Sequence, residues 1–256
     1  MPETCVTPML AGGLGNLLFQ LAGAYGLARQ HRWVFSIDPA SRWQRSAHSN
    51  TNYFEGFLSR WTSFVRPKTT ITHVVHEHKL APVTVIPGTV SYISGYLQNY
   101  TYFWDYLEEI IGMLSFDASV EDKYPRLEES AFLHVRGGDY LAVPLHRIDL
   151  TEYYKRALDV VKAPHYYVFT NDPAFLAQQA WLKDVPHTIV DETEVNSLYL
   201  MSRCKKGAIC ANSTFSWWGA ALAPTDRPIC MPSKWFNDPE FFIKGYFFPG
   251  VTVLSV

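Results

Sequence analysis

The sequence predicts an α/β chain whose second half is a doubly wound parallel sheet. Three observations carry that reading. Beyond residue 130, short apolar runs alternate with stretches of helical periodicity, the rhythm of repeated β-α units. Each run gives way to polar residues, at His134–Tyr140, Thr170–Pro173 and Asn212–Ser216, where parallel strands deliver their ligand-binding side chains. Near the start, Ala11-Gly-Gly-Leu-Gly-Asn16 separates a short apolar lead from Leu17, Leu18, Leu21, Ala22, Tyr25 and Ala28, which recur on one face at helical period.

The first half is read as a strand, that glycine turn and a helix, then a short strand over Trp33 to Ile37. Asp38 to Arg66 is irregular and rich in Ser, Asn, Arg and aromatics, as befits loops that bind a ligand or simply wrap. His73, His76 and His78 alternate without a supporting carboxylate or Cys set, so solvated strand histidines fit better than metal ligands. Val90 to Tyr96 is a further strand, and Asn99 to Met113 is expected to be a helix with aromatic and acidic faces. Ser115 to Ser130, acidic and containing Pro125, is the most linker-like segment, which gives domains over 1–125 and 126–256. In the second domain, strands over 131–135, 165–169, 187–190 and 208–211 alternate with helices over 151–161, from Pro173, over 196–203 and over 217–223. Thr151 is the expected cap of the first of these helices.

Composition narrows the function. The 256 residues are 48% hydrophobic and 15% aromatic with a formal charge of -2, which excludes a disordered chain and gives no basic excess for nucleic acid. Cys5, Cys204, Cys210 and Cys230 lack Cys-x-x-Cys spacing and read as reduced core thiols. No basic-then-apolar leader and no long apolar run is present, so a soluble, cytoplasmic chain without a transmembrane segment is expected. Asn99-Tyr-Thr and Asn212-Ser-Thr match the glycosylation pattern, which has no meaning in a reducing compartment.

Three strand exits can converge on one crevice. Arg136 offers a planar fork suited to two phosphate oxygens, and Gly137-Gly138 permits a tight turn. A simpler reading is an Arg–Asp pair bracketing that turn. Ser213, Thr214 and Ser216 stand where a helix begins, which suits an anion, or an ordinary helix cap. Gly13-x-Gly15 lacks the third glycine of the dinucleotide fingerprint, because Leu18 stands there, yet it allows close backbone approach ahead of a helix N-terminus. There is no phosphate-binding Gly-x-x-x-x-Gly-Lys loop, no nucleophile elbow, no His-Glu-x-x-His and no Asp-x-Asp. A diphosphate would therefore be held by arginine and helix N-termini, with no metal and no cofactor.

Gly12-Gly-Leu-Gly-Asn-Leu-Leu-Phe-Gln20, Gly95-Tyr-Leu-Gln98, His134-Val-Arg-Gly-Gly-Asp-Tyr140, Thr170-Asn-Asp-Pro173 and Leu198 to Cys204 through Asn212-Ser-Thr-Phe-Ser-Trp-Trp-Gly219 resemble, in order and spacing, the motif series of the α-1,2-fucosyltransferases. The resemblance covers nearly the whole chain. It implies a GT-B-like architecture, two Rossmann-type domains with a donor-binding cleft between them, and inverting, metal-independent transfer from GDP-fucose to a galactose-like glycan. Arg136 would hold the β-phosphate. His134, Asp172, Ser197, Asn212, Ser213, Thr214, Phe215 and Ser216 would complete the donor site, with Gly13 and Gly15 approaching from the first domain. Asn16 would face the reacting centre. His146, at a spacing where the family tends to carry a His, is the candidate base, and Asp139 the weaker one because Arg136 stands beside it.

Four positions depart from the family pattern. Gly137 replaces a second Arg, Leu17 a Gln, Asn171 the first member of an acidic pair, and Ser197 an Asp. The last bears on nucleobase choice, so a different nucleotide 6-deoxysugar such as a rhamnose donor is the nearer alternative. A non-catalytic sugar-nucleotide or glycan-binding module is the other.

Overall fold

A computed structural model describes residues 3–43, 52–67, 70–223 and 226–256. Two compact units emerge, Met1–Ser115 with Glu240–Tyr246, and Phe116–Pro239 with Phe247–Val256. The chain thus lends its first unit a short segment from near its C-terminus. The expected division at 125/126 lies ten residues beyond the observed one. Residues 116–129, expected to be linker, form two 3₁₀ turns held on the second unit, with Arg203 Nε donating to Glu121 Oε1 at 2.8 Å and Lys123 Nζ to Glu192 Oε1 at 2.8 Å.

The first unit is built on β1 (Cys5–Pro8), α1 (Leu14–His31), β2 (Val34–Phe35), β3 (His73–His76), β4 (Val90–Ser94) and α2 (Leu107–Gly112). Among the described residues its four strands lie parallel in the order β2-β1-β4-β3. Helix α1 is buried from Leu14 to Ala28 except at Asn16, because it is apolar nearly all round and is covered on several sides. Gly26 lets it approach another backbone: a Cβ there would lie 2.0 Å from the Tyr102 carbonyl oxygen. The described part of the irregular stretch wraps this helix. Trp61 is fully buried and packs edge-on against Tyr25 and Phe35 at 5.7 and 5.9 Å. Residues 44–51 of that stretch lie outside the described residues.

The helix expected over 99–113 is divided. Asn99 Oδ1 accepts from the Thr101 amide and hydroxyl, and the backbone at Phe103 leaves helical geometry (φ -139°), so two 3₁₀ turns precede α2. Local side-chain bonds of this kind compete with the helical ladder.

The second unit contains β5 (Ala131–Val135), α3 (Asp139–Ala142), α4 (Thr151–Val161), β6 (Tyr166–Thr170), α5 (Pro173–Leu176), β7 (His187–Ile189), α6 (Glu194–Arg203), β8 (Gly207–Ile209), α7 (Thr214–Ala221), β9 (Ile229–Pro232) and β10 (Val251–Leu254). Its six described strands are all parallel, in the order β10-β9-β8-β5-β6-β7. β5 is buried along its whole length, the mark of a central strand covered on both faces. Thr151 does not cap α4. Leu150 holds the cap position with no side-chain cap bond, and Asp149 before it accepts at Oδ1 from the Thr151 amide at 2.9 Å. α5 begins with Pro173 in its first turn under an Asp172 cap.

Trp217 and Trp218 of α7 are fully buried, each worth roughly 2–3 kcal/mol as apolar burial. Beneath them the buried guanidinium of Arg227 donates to the carbonyls of Met201 (3.1 Å) and Cys204 near the end of α6 and of Gly219 (3.0 Å) on α7. One cation thus satisfies the carbonyl ends of two helices. Burial lowers its pKa to about 10, so it remains charged at neutral pH.

Candidate active site

In the second unit the chain fills the sheet from the centre outwards, β5 to β7 towards one edge and then β8 to β10 towards the other. The order reverses between β5 and β8. The crevice beyond the C-terminal ends of those two strands is where a sheet of this kind holds a ligand. β5 delivers Arg136 there and β8 delivers Asn212 to Ser216.

At the β5 exit the Gly137 amide donates to Asn171 Oδ1 at 3.0 Å and the Gly138 amide to Asp172 Oδ2 at 2.9 Å. Asp172 Oδ1 accepts from the Phe175 amide at 2.9 Å, and these backbone bonds hold its carboxyl below the usual carboxylate range. The turn requires glycine. A Cβ at Gly137 would stand 2.8 Å from Asp172 Cβ and 2.9 Å from Phe175 Cδ1, and Gly138 has φ +57°. The departures at 137 and 171 are therefore one feature, a side-chain-free turn gripped by the β6 exit.

Arg136 leaves this turn largely buried, its side chain 12% exposed, with Nη2 bonded to Asp139 Oδ1 at 2.7 Å. Its guanidinium lies 4.8 Å from the Tyr140 ring centroid. Tyr140 in turn stacks on His146 (4.7 Å, 19°), and His146 leans on Phe236 at 5.5 Å. Asn212 Nδ2 donates to the His146 carbonyl at 3.2 Å, so this column touches both exits. Burial pushes the Tyr140 phenol up and the His146 imidazole down. His146 Nδ1 is buried without a hydrogen-bond partner among the described residues, as is Arg136 Nε.

At the β8 exit the picked residues divide by role. Asn212 is buried and its Nδ2 donates to the His146 and Trp235 carbonyls, both at 3.2 Å. Ser213 caps α7. Ser216 is fully buried and its hydroxyl donates back to the Ser213 carbonyl at 3.3 Å. Asn212 and Ser216 thus spend their polar groups on the frame, and Thr214 and Phe215 keep open surface. Phe215 meets the edge of the buried His134 ring at 5.8 Å. His134 Nδ1 has no partner among the described residues, and burial, with Arg136 adding to it, drives its pKa down to about 3. Ser197 lies on α6 with its hydroxyl 3.4 Å from the Glu192 carbonyl oxygen. Glu192, not singled out from sequence, carries the nearby charge, held by Lys123 and by Asn196 at 2.9 Å.

The remaining picked residues belong to the first unit, where the order reverses between β1 and β4. Gly13 precedes α1 as its N-terminal cap residue, and its carbonyl accepts from the Asn16 amide at 2.9 Å. Gly15 is buried in the first turn. Gly12 is the strained glycine (φ +88°), and a Cβ on it would meet Asn16 Nδ2 at 2.7 Å. Asn16 Oδ1 accepts from Gln98 Nε2 at 2.8 Å, and Gln98 Oε1 accepts from the Tyr246 hydroxyl. Gln20 joins the two exits, accepting from the Ala11 amide at 2.9 Å and donating to the Gly95 carbonyl at 3.0 Å. Gly12, Tyr140 and Gln98 were legible only as motif members, not as contacts.

Residues 74–246 match the model of glycosyl transferase family 11, more than half of the chain. The chain belongs to that family. As a family 11 glycosyltransferase it is 25% identical to an α-1,2-colitosyltransferase of Escherichia coli over 92% of this chain and 93% of the relative. It is 34% identical to the Escherichia coli O-antigen biosynthesis glycosyltransferase WbnK over 41% of this chain and 38% of that one. Among solved structures it resembles the fucosyltransferase NodZ from Bradyrhizobium (TM-score 0.52, 15% identity, 88% and 94% of the two chains) and POFUT1 in complex with GDP (TM-score 0.51, 12% identity, 89% and 97%). These likenesses establish the GT-B-like fold. No helix among the described residues is long and apolar enough to cross a membrane.

The depressed His134 pKa has a thermodynamic consequence. The unfolded chain takes up this proton near pH 6.5, the folded chain only near pH 3, so stability is full above about 6.5 and declines as pH falls towards 3. The expected contribution is a slope of about 1.4 kcal/mol per pH unit in that window. Urea unfolding from pH 7.5 to 5 should show His134→Gln with a slope shallower by about that amount, whereas equal slopes would mean the ring is already protonated in the fold.

Proposed function

We propose that this glycosyltransferase moves L-fucose from GDP-fucose to a hydroxyl of a galactose-like residue in a glycan, with inversion, forming an α-1,2 linkage. The observation that carries the reading is Arg136, held at the β5–β8 switch point by the Asp139 pair and the Tyr140 stack, beside the Ser213-capped start of α7. A fixed arginine and a helix N-terminus are what a departing nucleoside diphosphate needs. A NodZ structure was obtained with GDP-fucose, one relative is named for α-1,2 transfer and another for O-antigen biosynthesis, which supports a deoxysugar donor and a glycan acceptor.

In the proposed step the acceptor oxygen bonds to the sugar's anomeric carbon as the bond to the β-phosphate oxygen breaks. The electron pair leaves with the diphosphate, and the acceptor proton passes to a base. Arg136 exchanges part of its contact with the exposed Asp139 for the phosphate. Thr214 and Phe215 supply the open wall, with Asn212 and Ser216 bracing it. Asn16, oriented by Gln98, belongs to the acceptor side.

Donor choice is the second reading with an observation behind it. Ser197 offers a hydroxyl already turned to a backbone carbonyl, and the α-1,2-colitosyltransferase relative is named for a different glycosyl group. Turnover of GDP-fucose compared with other nucleotide 6-deoxysugars, a rhamnose donor among them, separates the two.

Three outcomes are expected. Arg136→Lys should be nearly as damaging as Arg136→Ala, each slowing turnover about a hundredfold at saturating donor, a loss of roughly 3 kcal/mol, because a point charge cannot replace the fork. Lysine keeping more than half the rate would remove Arg136 from the leaving group. Activity should persist in excess EDTA, and abolition with rescue by manganese would show a metal on the diphosphate.

The third outcome concerns His146. If it takes the acceptor proton, its lowered pKa leaves it neutral at pH 7 and puts the acid limb of the wild-type rate below pH 6.5. His146→Ala should lose that limb and roughly 10²-fold or more in rate. A variant with full rate and an unchanged limb leaves His146 as support for Tyr140.

A further inference from the structure

We propose that Arg147 is a second diphosphate-binding residue, supplying a second cation beside a β5 exit where Arg136 is already offset by carboxylates. This rests on the donor site described above. At that exit Arg136 faces Asp139 at 2.7 Å, and Asp172 is bound to the Gly138 amide at 2.9 Å, so one cation stands among two carboxylates. The turn offers nothing more. Gly137 has no room for a side chain, and the amides of Gly137 and Gly138 are both taken by Asn171 and Asp172. A nucleoside diphosphate brings several negative charges to this point, so a second unpaired cation within reach favours its binding.

A cavity of about 140 Å³ opens beside Arg136, lined also by Tyr140, His146, Asp149, Asn212 and Arg147. Asp149 accepts from the Thr151 amide at 2.9 Å, and those bonds hold its carboxyl below the usual range. The backbone that presents Arg147 is fixed at both ends of its peptide: its amide donates to the Val143 carbonyl at 3.1 Å, and its carbonyl accepts from Asn237 Nδ2 at 2.9 Å. The side chain is exposed and in no ion pair among the described residues. An unpaired arginine on a braced loop, sharing a cavity with the leaving-group arginine, is placed to meet the same anion.

The test is calorimetric titration of the intact protein with GDP, inorganic pyrophosphate and guanosine, at low and high salt, for wild type, Arg147→Ala, Arg147→Lys, Arg136→Ala and, as a control for overall charge, Lys183→Ala. Arg147→Ala is expected to weaken GDP and pyrophosphate about tenfold at low salt, to lose much of that difference at high salt, and to leave guanosine unchanged. Lysine at 147 should restore most of the affinity, and Lys183→Ala should match wild type. Unaltered GDP and pyrophosphate binding in Arg147→Ala, with loss in Arg136→Ala, overturns the role of Arg147 and leaves the donor site standing. Equal weakening of guanosine also overturns it, because the charge is then not what matters. If Arg136→Ala binds GDP normally, the donor-site reading itself fails.

Discussion

The grip of Asn171 and Asp172 on the Gly137 and Gly138 amides is the contact on which the arrangement of the second unit's candidate site depends. It couples the exits of two adjacent parallel strands, so that the residue between strand and turn, Arg136, leaves β5 in one direction. It also excludes any side chain at 137. The partners of both glycine amides, the buried one at Gly137 and the exposed one at Gly138, come from a single dipeptide that also caps the next helix. The turn is thereby fixed from outside rather than by its own sequence, which two glycines could not achieve.

From that turn the order propagates by stacking. Arg136 rests on Tyr140, Tyr140 on His146, and His146 on Phe236, while Asn212 bonds the backbone carbonyl of His146. The β8 exit and the loop after α3 therefore share one frame. Behind it Arg227 joins the carbonyl ends of α6 and α7, so the wall that Thr214 and Phe215 present is carried by a helix anchored at its far end. An arginine held this way would lose little conformational freedom on meeting an anion, which is how a site raises affinity without adding contacts.

Much of this was legible in the sequence, and the failures share a cause. The strand exits of the second unit, the helix start at Pro173 and the helix over 151–161 follow from local pattern, because each is decided within a few residues. The helix expected over 99–113 is divided where one side chain, Asn99, competes with the ladder. The segment 116–129 looked like linker because it is acidic, yet its Glu121 answers Arg203, eighty-two residues away. β9 and β10 do not stand out in the β-α rhythm although Ile229–Pro232 and Val251–Leu254 are short apolar runs, since among the described residues only a 3₁₀ turn, and no α-helix, lies between them. At the site, residue type announced polarity but not direction: Ser216 and Asn212 were picked as ligand contacts, and tertiary packing turned both inward.

The first unit shows the same limit in its sharpest form. Its amide chain runs from Asn16 through Gln98 to Tyr246, and the last link spans 148 residues of sequence. Neither Gly12–Gln20 nor Gly95–Gln98 explains its own side chains. Gly12 is glycine because Asn16 occupies the space a Cβ would need, and Gln98 is oriented by a tyrosine that the chain brings back from its C-terminal region. The family match ends at Tyr246, the last residue of that returning segment. Asn16 therefore depends for its orientation on a residue that the chain supplies last, and a partly synthesised first unit would carry the motif without the geometry.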